Sequence, residues 1–140
     1  MSCLSPLKQK TPLKQKRYRT MKPTYIVLGT NNMEASTRFY DALFEQTDLK
    51  QVLSNERMTF WQGEDVLSAF AIAKPFNEEP ASNGNGTMIG FSVGSNAEVE
   101  RLHKKAIALG GTCEGEPHHR GERYSAYVRD LDKNKLCFFG

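Results

Sequence analysis

Three histidines and three cysteines carry most of the chemistry that this 140-residue sequence could perform. His118-His119-Arg120, with Arg123 close behind, stands between Pro117 and a strand-like run that begins at Tyr124. Such a cluster could hold an anion at the lip of a pocket or move a proton, because histidine titrates near neutrality. The same residues also read as a solvated loop bounded by glycine and proline. His103 falls in a helical pattern at a position flanking its apolar stripe, which reads as a surface or boundary position. Cys113 and His118 do not have a zinc-binding spacing, and two ligands are too few. Cys3, Cys113 and Cys137 form no C-x-x-C pair, so neither a zinc ribbon nor a disulfide framework is indicated. A reducing, cytoplasmic setting is the natural one. Cys137 has no histidine fixed beside it by sequence and reads as an inert buried thiol. Trp61, the single tryptophan, either stacks on a ligand or fills the core.

The elements that must position these groups come in two copies. From Tyr25 the chain reads YIVLGT-NNMEA-STRFYDALF, and from Met88 it reads MIGFSV-GSNAE-VERLHKKAIALGG. The register between the copies is constant: Tyr25 with Met88, Leu28 with Phe91, Arg38 with Arg101. Met33, Ser36, Phe39, Tyr40, Leu43 and Phe44 form one stripe at helical spacing, and Val99, Leu102, Ala106 and Leu109 form another. Ser95-x-x-Glu98 has the form of a capping box, and Gly110-Gly111 is a helix stop. Strand-like stretches follow each helix: Arg57–Gln62 and Val66–Ala73 in the first copy, Tyr124–Arg129 and Lys135–Phe139 in the second. Each copy is too small to bury a sheet face alone, so pairing into one continuous sheet is expected. The boundaries expected are a first module over 22–74, a Pro/Gly/Asn linker over 75–86 and a second module over 87–140.

Charge separates the folded part from a tail over residues 1–21. Residues 1–20 contain six basic and no acidic residues, so the net +3 of the chain becomes −3 for the remainder. Pro6-Leu-Lys-Gln-Lys recurs at Pro12, without apolar periodicity, and the tail is expected to be disordered. A nucleic-acid arm would want aromatic platforms beyond Tyr18, so a solvated extension is the better reading, and no nucleic-acid partner is expected. No apolar run approaches the roughly 20 residues that span a bilayer, so no membrane role is expected.

Alternation along the strands divides their side chains between two faces. Ile26, Leu28, Ile89, Phe91 and Val93 suit packing under the helices, leaving Tyr25, Val27, Gly29, Met88, Gly90 and Ser92 on the other face. Leu67, Ala69, Ala71 and Ala73 are expected under a helix, with Ser68, Phe70 and Ile72 on the open side. In the last strand Leu136 and Phe138 pack inward, while Cys137 and Phe139 look into a cleft.

The run YIVLGTNNMEASTRFYDALF, the linker PFNEEPASNGNGTM, the helix end ALGG and the closing YSAYVRDLDKNKLCFF resemble the glyoxalase/bleomycin-resistance/dioxygenase superfamily, the vicinal oxygen chelate proteins, over about residues 22–139. The resemblance implies an α+β fold of two paired βαβββ modules forming a curled mixed sheet with a central cleft. The ligand cleft it implies is lined by Tyr25, Val27, Trp61, Ser68, Phe70, Met88, His118, Arg120, Tyr124 and Cys137. Catalytic members hold a divalent metal on four side chains, usually His or Gln and Glu, in the first and last strands of both modules. Matched by motif, those positions here are Tyr25, Ser68, Met88 and Cys137, so no metal and no cofactor are expected. Three readings follow: a metal-free small-molecule-binding protein of the bleomycin-resistance type, a lyase or isomerase like lactoylglutathione lyase, and a non-catalytic structural dimer. A small-molecule ligand is the partner expected, and pairing into a homodimer is consistent with all three.

Overall fold

The computed structural model describes residues 17–140, so residues 1–16 of the tail expected over 1–21 lie outside them. Module one runs β1 (Tyr25–Gly29), α1 (Met33–Leu43), β2 (Lys50–Ser54), β3 (Met58–Gln62) and β4 (Ala69–Ala73). Module two repeats the order with β5 (Met88–Ser92), α2 (Asn96–Ala108), β6 (Thr112–Arg120), β7 (Arg123–Arg129) and β8 (Lys135–Phe139). The fold is α+β with paired βαβββ modules, as the repeat implies.

Local signals account for the helix ends. The Asn32 side chain accepts the Ala35 N–H at the start of α1, and Ser95 accepts the Glu98 N–H at the start of α2. Glu98 completes only half of a capping box, because its carboxylate turns to Arg101 instead. At the end of α2 the Gly110 N–H bonds Ile107 O and the Gly111 N–H bonds Ala106 O, with Gly110 in the left-handed region. This paired arrangement satisfies the last carbonyls and turns the chain sharply into β6.

The sheet departs from the expectation of a continuous one. There are two four-stranded sheets, ordered β1-β4-β3-β2 and β5-β8-β7-β6, with β1 and β5 each at an edge. The modules meet through side chains instead of a shared ladder. Phe44 and Phe70 of module one lie 6.0 and 5.8 Å from the Phe91 ring of module two, which stacks on Phe138. Tyr40, Trp61 and Leu43 extend this cluster beneath α1, and Val99, Leu102, Ala106 and Val128 extend it beneath α2. Burying each large apolar side chain contributes about 1.5–3 kcal/mol.

Two strands and one face were read otherwise from the sequence. β2 is exposed along its whole length, so no period of two marks it. β6 contains residues 118–120, expected in a loop, and two register shifts obscure its alternation. In β4 the faces are reversed: Phe70 and Ile72 are buried under α1, and Ala69, Ala71 and Ala73 take the side away from the helix. The large side chains claim the core because burial stabilises in proportion to apolar area.

One polar network crosses between the modules inside this apolar interior. The Tyr40 hydroxyl donates to Asp130 Oδ2 at 2.5 Å, and the Asn134 amide donates both to Asp130 and to Gly29 O. Asp130 Oδ1 also accepts the Asp132 and Asn134 N–H groups, and Asp132 accepts the Asn31 N–H at 2.8 Å. The closing D-x-D-x-N run is therefore the loop by which module two grips β1 and α1. Burial, with the Asp130 charge adding to it, holds the Tyr40 phenol well above its ordinary value, so it stays a donor. Burial also raises the Asp130 carboxyl, against the opposing hydrogen bonds from Tyr40 and Asn134.

Tyr40→Phe keeps the ring and removes the donor, and is expected to cost about 1–3 kcal/mol in urea unfolding. Because the folded phenol is raised, its contribution is complete below the unfolded value of about 10 and is lost as pH climbs through the higher folded value. The wild type should therefore lose stability above about pH 10 more steeply than Tyr40→Phe does.

Candidate functional site

Packing consumes most of the helix-facing side of both sheets and leaves their outer faces largely free. On β7 and β8 alternation buries Ala126, Val128, Leu136 and Phe138 against α2 and turns Ser125, Tyr127, Cys137 and Phe139 outward. With Met88 and Gly90 of β5 and the guanidinium groups of Arg120 and Arg123, they line a cavity of about 210 Å3. No carboxylate lines it among the described residues.

The two arginines play different parts. Arg120 is tied down: it donates to the Ser125 carbonyl and hydroxyl and to Glu116 O, and lies 4.9 Å over the Tyr127 ring. Gly115 makes room for it, since a Cβ there would come within 2.9 Å of both Arg120 and Tyr127. Arg123 lies 4.6 Å over the Phe139 ring and has no ion-pair partner among the described residues. Lys135 also lies over the Tyr127 ring, at 5.1 Å. Aromatic faces thus hold three cations, Arg120, Arg123 and Lys135, and the Glu114 charge lies within reach of the last. Cys137 lies beneath. Desolvation raises its thiol, while Tyr127 and the charges of Arg120, Arg123 and Lys135 pull the other way.

The residues expected in a cleft are divided by the structure. Met88, Arg120 and Cys137 come together in this cavity. Tyr25 and Val27 lie on the corresponding outer face of module one, 60% and 42% exposed. His118 is exposed on β6, opposite Ser125, with its ring nitrogen on Glu116 O. Tyr124 points the other way, toward α2, and donates to Glu100 at 2.6 Å. Trp61 and Phe70 are core residues, packed on Tyr40 and Phe44, and the Trp61 indole donates to Asp41. Ser68 precedes β4 and lies against Gly63, near a depression on the helix side. Sequence reasoning missed Ser125, Tyr127 and Lys135, although the period of two from Arg123 to Arg129 carried the first two.

The donor set for a chelated metal can be tested on the register. Gly90 pairs with Cys137 in module two, and the equivalent Val27 pairs with Ala71 in module one, so Ala71 and not Ser68 is the counterpart of Cys137. The four places hold a phenol, a thioether, a thiol and a methyl group. These do not suit a hard divalent cation, which takes carboxylate, carbonyl or imidazole ligands.

A second concavity of about 430 Å3 lies beside the linker, between Arg57, Lys74, Phe76, Glu78 and Glu79. Its charges are of both signs and Arg57 covers Phe76, so it presents no single field to a ligand. No helix among the described residues is long and apolar enough to cross a membrane.

Comparisons with known proteins bear on this arrangement. The family model described as Glyoxalase/Bleomycin resistance protein/Dioxygenase superfamily matches residues 22–138. A crystal structure of a glyoxalase/bleomycin resistance protein from Albidiferax ferrireducens is 36% identical, covers 83% of this chain and 95% of its own, and superposes with a TM-score of 0.74. Likeness of fold extends to a glyoxalase/bleomycin resistance protein/dioxygenase family enzyme from Burkholderia phytofirmans, at 17% identity over 85% and 98% of the two chains, with a TM-score of 0.70. It extends also to a lactoylglutathione lyase from Agrobacterium tumefaciens, at 23% identity over 83% and 90%, with a TM-score of 0.63. A comparison with curated proteins gives no match.

Burial should protect Cys137 from thiol reagents. At pH 7 it is expected to react with a maleimide about tenfold or more slowly than exposed Cys113, as followed by peptide mass spectrometry, and to react readily on unfolding. Equal rates in the folded protein would contradict the placement.

Proposed function

The chain belongs to the Glyoxalase/Bleomycin resistance protein/Dioxygenase superfamily, and on that premise we propose that it binds a small anionic, partly aromatic molecule on the outer face of its second sheet. The observation that carries the proposal is a pair of cations, Arg123, without an ion-pair partner among the described residues, and Lys135, held on the rings of Phe139 and Tyr127 beside a cavity without carboxylates. Met88, Tyr127 and Phe139 offer apolar surface to the body of the ligand, and the cations take its charge. Binding proceeds without the metal chelate of the catalytic relatives, because the donor set does not suit one. The reading is therefore of a binding protein of the bleomycin-resistance type.

A volume of about 210 Å3 is small beside the 300–1,000 Å3 usual for ligand pockets. A second copy of the chain supplies the remaining wall in this proposal. Tyr25, Ile26 and Val27 are exposed apolar residues on β1, an edge strand with no partner on its free side among the described residues. Such an edge pairs readily with another chain. Ile26→Glu is expected to shift the sedimenting species to a monomer while leaving the circular dichroism unchanged.

Calorimetric titration separates charge recognition from general apolar binding. 2-Naphthyl phosphate should bind about tenfold or more tightly than uncharged 2-naphthol, and salt should weaken only the former. Arg123→Ala combined with Lys135→Ala should abolish the difference. Equal affinities for the two compounds in the wild type would refute the proposal. Any divalent metal the protein carries should survive Tyr25→Phe and Cys137→Ser.

A further inference from the structure

On the opposite side of the second sheet, between α2 and β6, three side chains of different chemistry converge. His103 Nε2 lies 3.3 Å from Cys113 Sγ, and Cys113 Sγ lies 3.4 Å from Glu116 Oε1. All three ligand atoms fall within 4.8 Å of one another. We propose that His103, Cys113 and Glu116 form a binding site for a borderline divalent cation of the zinc type, separate from the cavity on the outer face.

Ligand chemistry and spacing both favour that cation. Imidazole nitrogen, thiolate sulfur and carboxylate oxygen are the three donors that zinc takes from proteins. Zinc–sulfur and zinc–nitrogen bonds of about 2.3 and 2.0–2.1 Å at a tetrahedral angle place the two donors roughly 3.5 Å apart. The distances here are close to that before any ion is bound. Cys113 and Glu116 are exposed, so the fourth position opens to solvent.

The backbone builds the cluster from residues that a regular strand would keep apart. Cys113 pairs with Val128, which is buried beneath α2, so the thiol faces the helix that carries His103. In an unbroken strand Glu116, three residues on, would face the other way. The register shifts between Cys113 and Gly115 and between Gly115 and His118 return it to the same side. Arg120 holds the Glu116 carbonyl at 3.0 Å and leaves its carboxylate free of an ion pair among the described residues. Glu114, in contrast, is already paired with Arg129.

The turn from helix to strand fixes the remaining ligand. A Cβ at Gly111 would meet the carbonyls of Ala106 in α2 and Arg129 in β7 at 2.8 Å, so the turn from α2 into β6 is packed too closely there for any other residue. His103 itself is only 7% exposed. Its ring is thus held before metal arrives, which lowers the entropy lost on binding.

The test is a cobalt(II) titration of the full chain without a histidine tag, read by the absorption of thiolate-to-cobalt charge transfer, followed by displacement with zinc. The wild type should show the band, and Cys3→Ser combined with Cys137→Ser should retain it. Cys113→Ser, at an exposed position that leaves the fold intact, should lose it. Glu116→Gln should weaken cobalt by about tenfold or more. Absence of the band at saturating cobalt, or its persistence in Cys113→Ser, would overturn the proposal.

Discussion

The phenol of Tyr40 and the carboxylate of Asp130 meet inside the core, where neither has water to turn to. A buried carboxylate is tolerated only when its lone pairs are met, and here they are met from both modules. Tyr40 comes from the first helix, Asn134 and two backbone N–H groups from the last loop, and Asn134 passes the contact on to the carbonyl of Gly29. The sheets share no ladder among the described residues, so this network and the aromatic cluster around it fix how the modules sit on one another. An apolar cluster could slide, whereas a set of directional bonds admits one register.

That constraint decides where function can reside. With both helix-facing surfaces spent on the common core, each sheet keeps one outer face. The face of module one carries Ala69, Ala71 and Ala73 beside Tyr25 and Val27, and has little to hold a charged ligand. The face of module two carries Arg123 and Lys135 on aromatic rings, with Gly90, Ser125 and Cys137 at the floor. The duplicated module has thus acquired an asymmetry of charge that its backbone symmetry does not require. The same sheet bears the histidine, cysteine and glutamate cluster on its other side, where a bulged strand redirects side chains that regular pleating would separate.

Much of this was legible in the residues. The constant register between the copies gave the paired modules, the helical stripes gave the core residues of α1 and α2, and Leu136 and Phe138 declared the inward face of the last strand. Failures occurred where a pattern was absent or shared. β2 shows no alternation because it is exposed throughout, and β6 loses its period at two bulges. In AFAIA both alternations are apolar, so pattern could not choose a face, and side-chain size decided it. Ser68 was misplaced because the two hairpins differ in length and only strand pairing identifies Ala71 as the equivalent position. His103 stands beside its stripe, and nothing local announces that Cys113 folds back onto it. The closing D-x-D-x-N run was read as a mark of kinship, and its physical task, the tie between modules, emerges only in three dimensions.

Backbone amide chemical shifts recorded by nuclear magnetic resonance during titration with 2-naphthyl phosphate test the central claim directly, because they report where an anion settles without presuming the residues. Shifts are expected to be confined to Gly90, Arg120, Arg123, Ser125, Tyr127, Cys137 and Phe139 of module two, joined by Tyr25 and Val27 if a second copy closes the site. Shifts centred on residues 74–80 beside the linker, or none at saturating ligand, would contradict it.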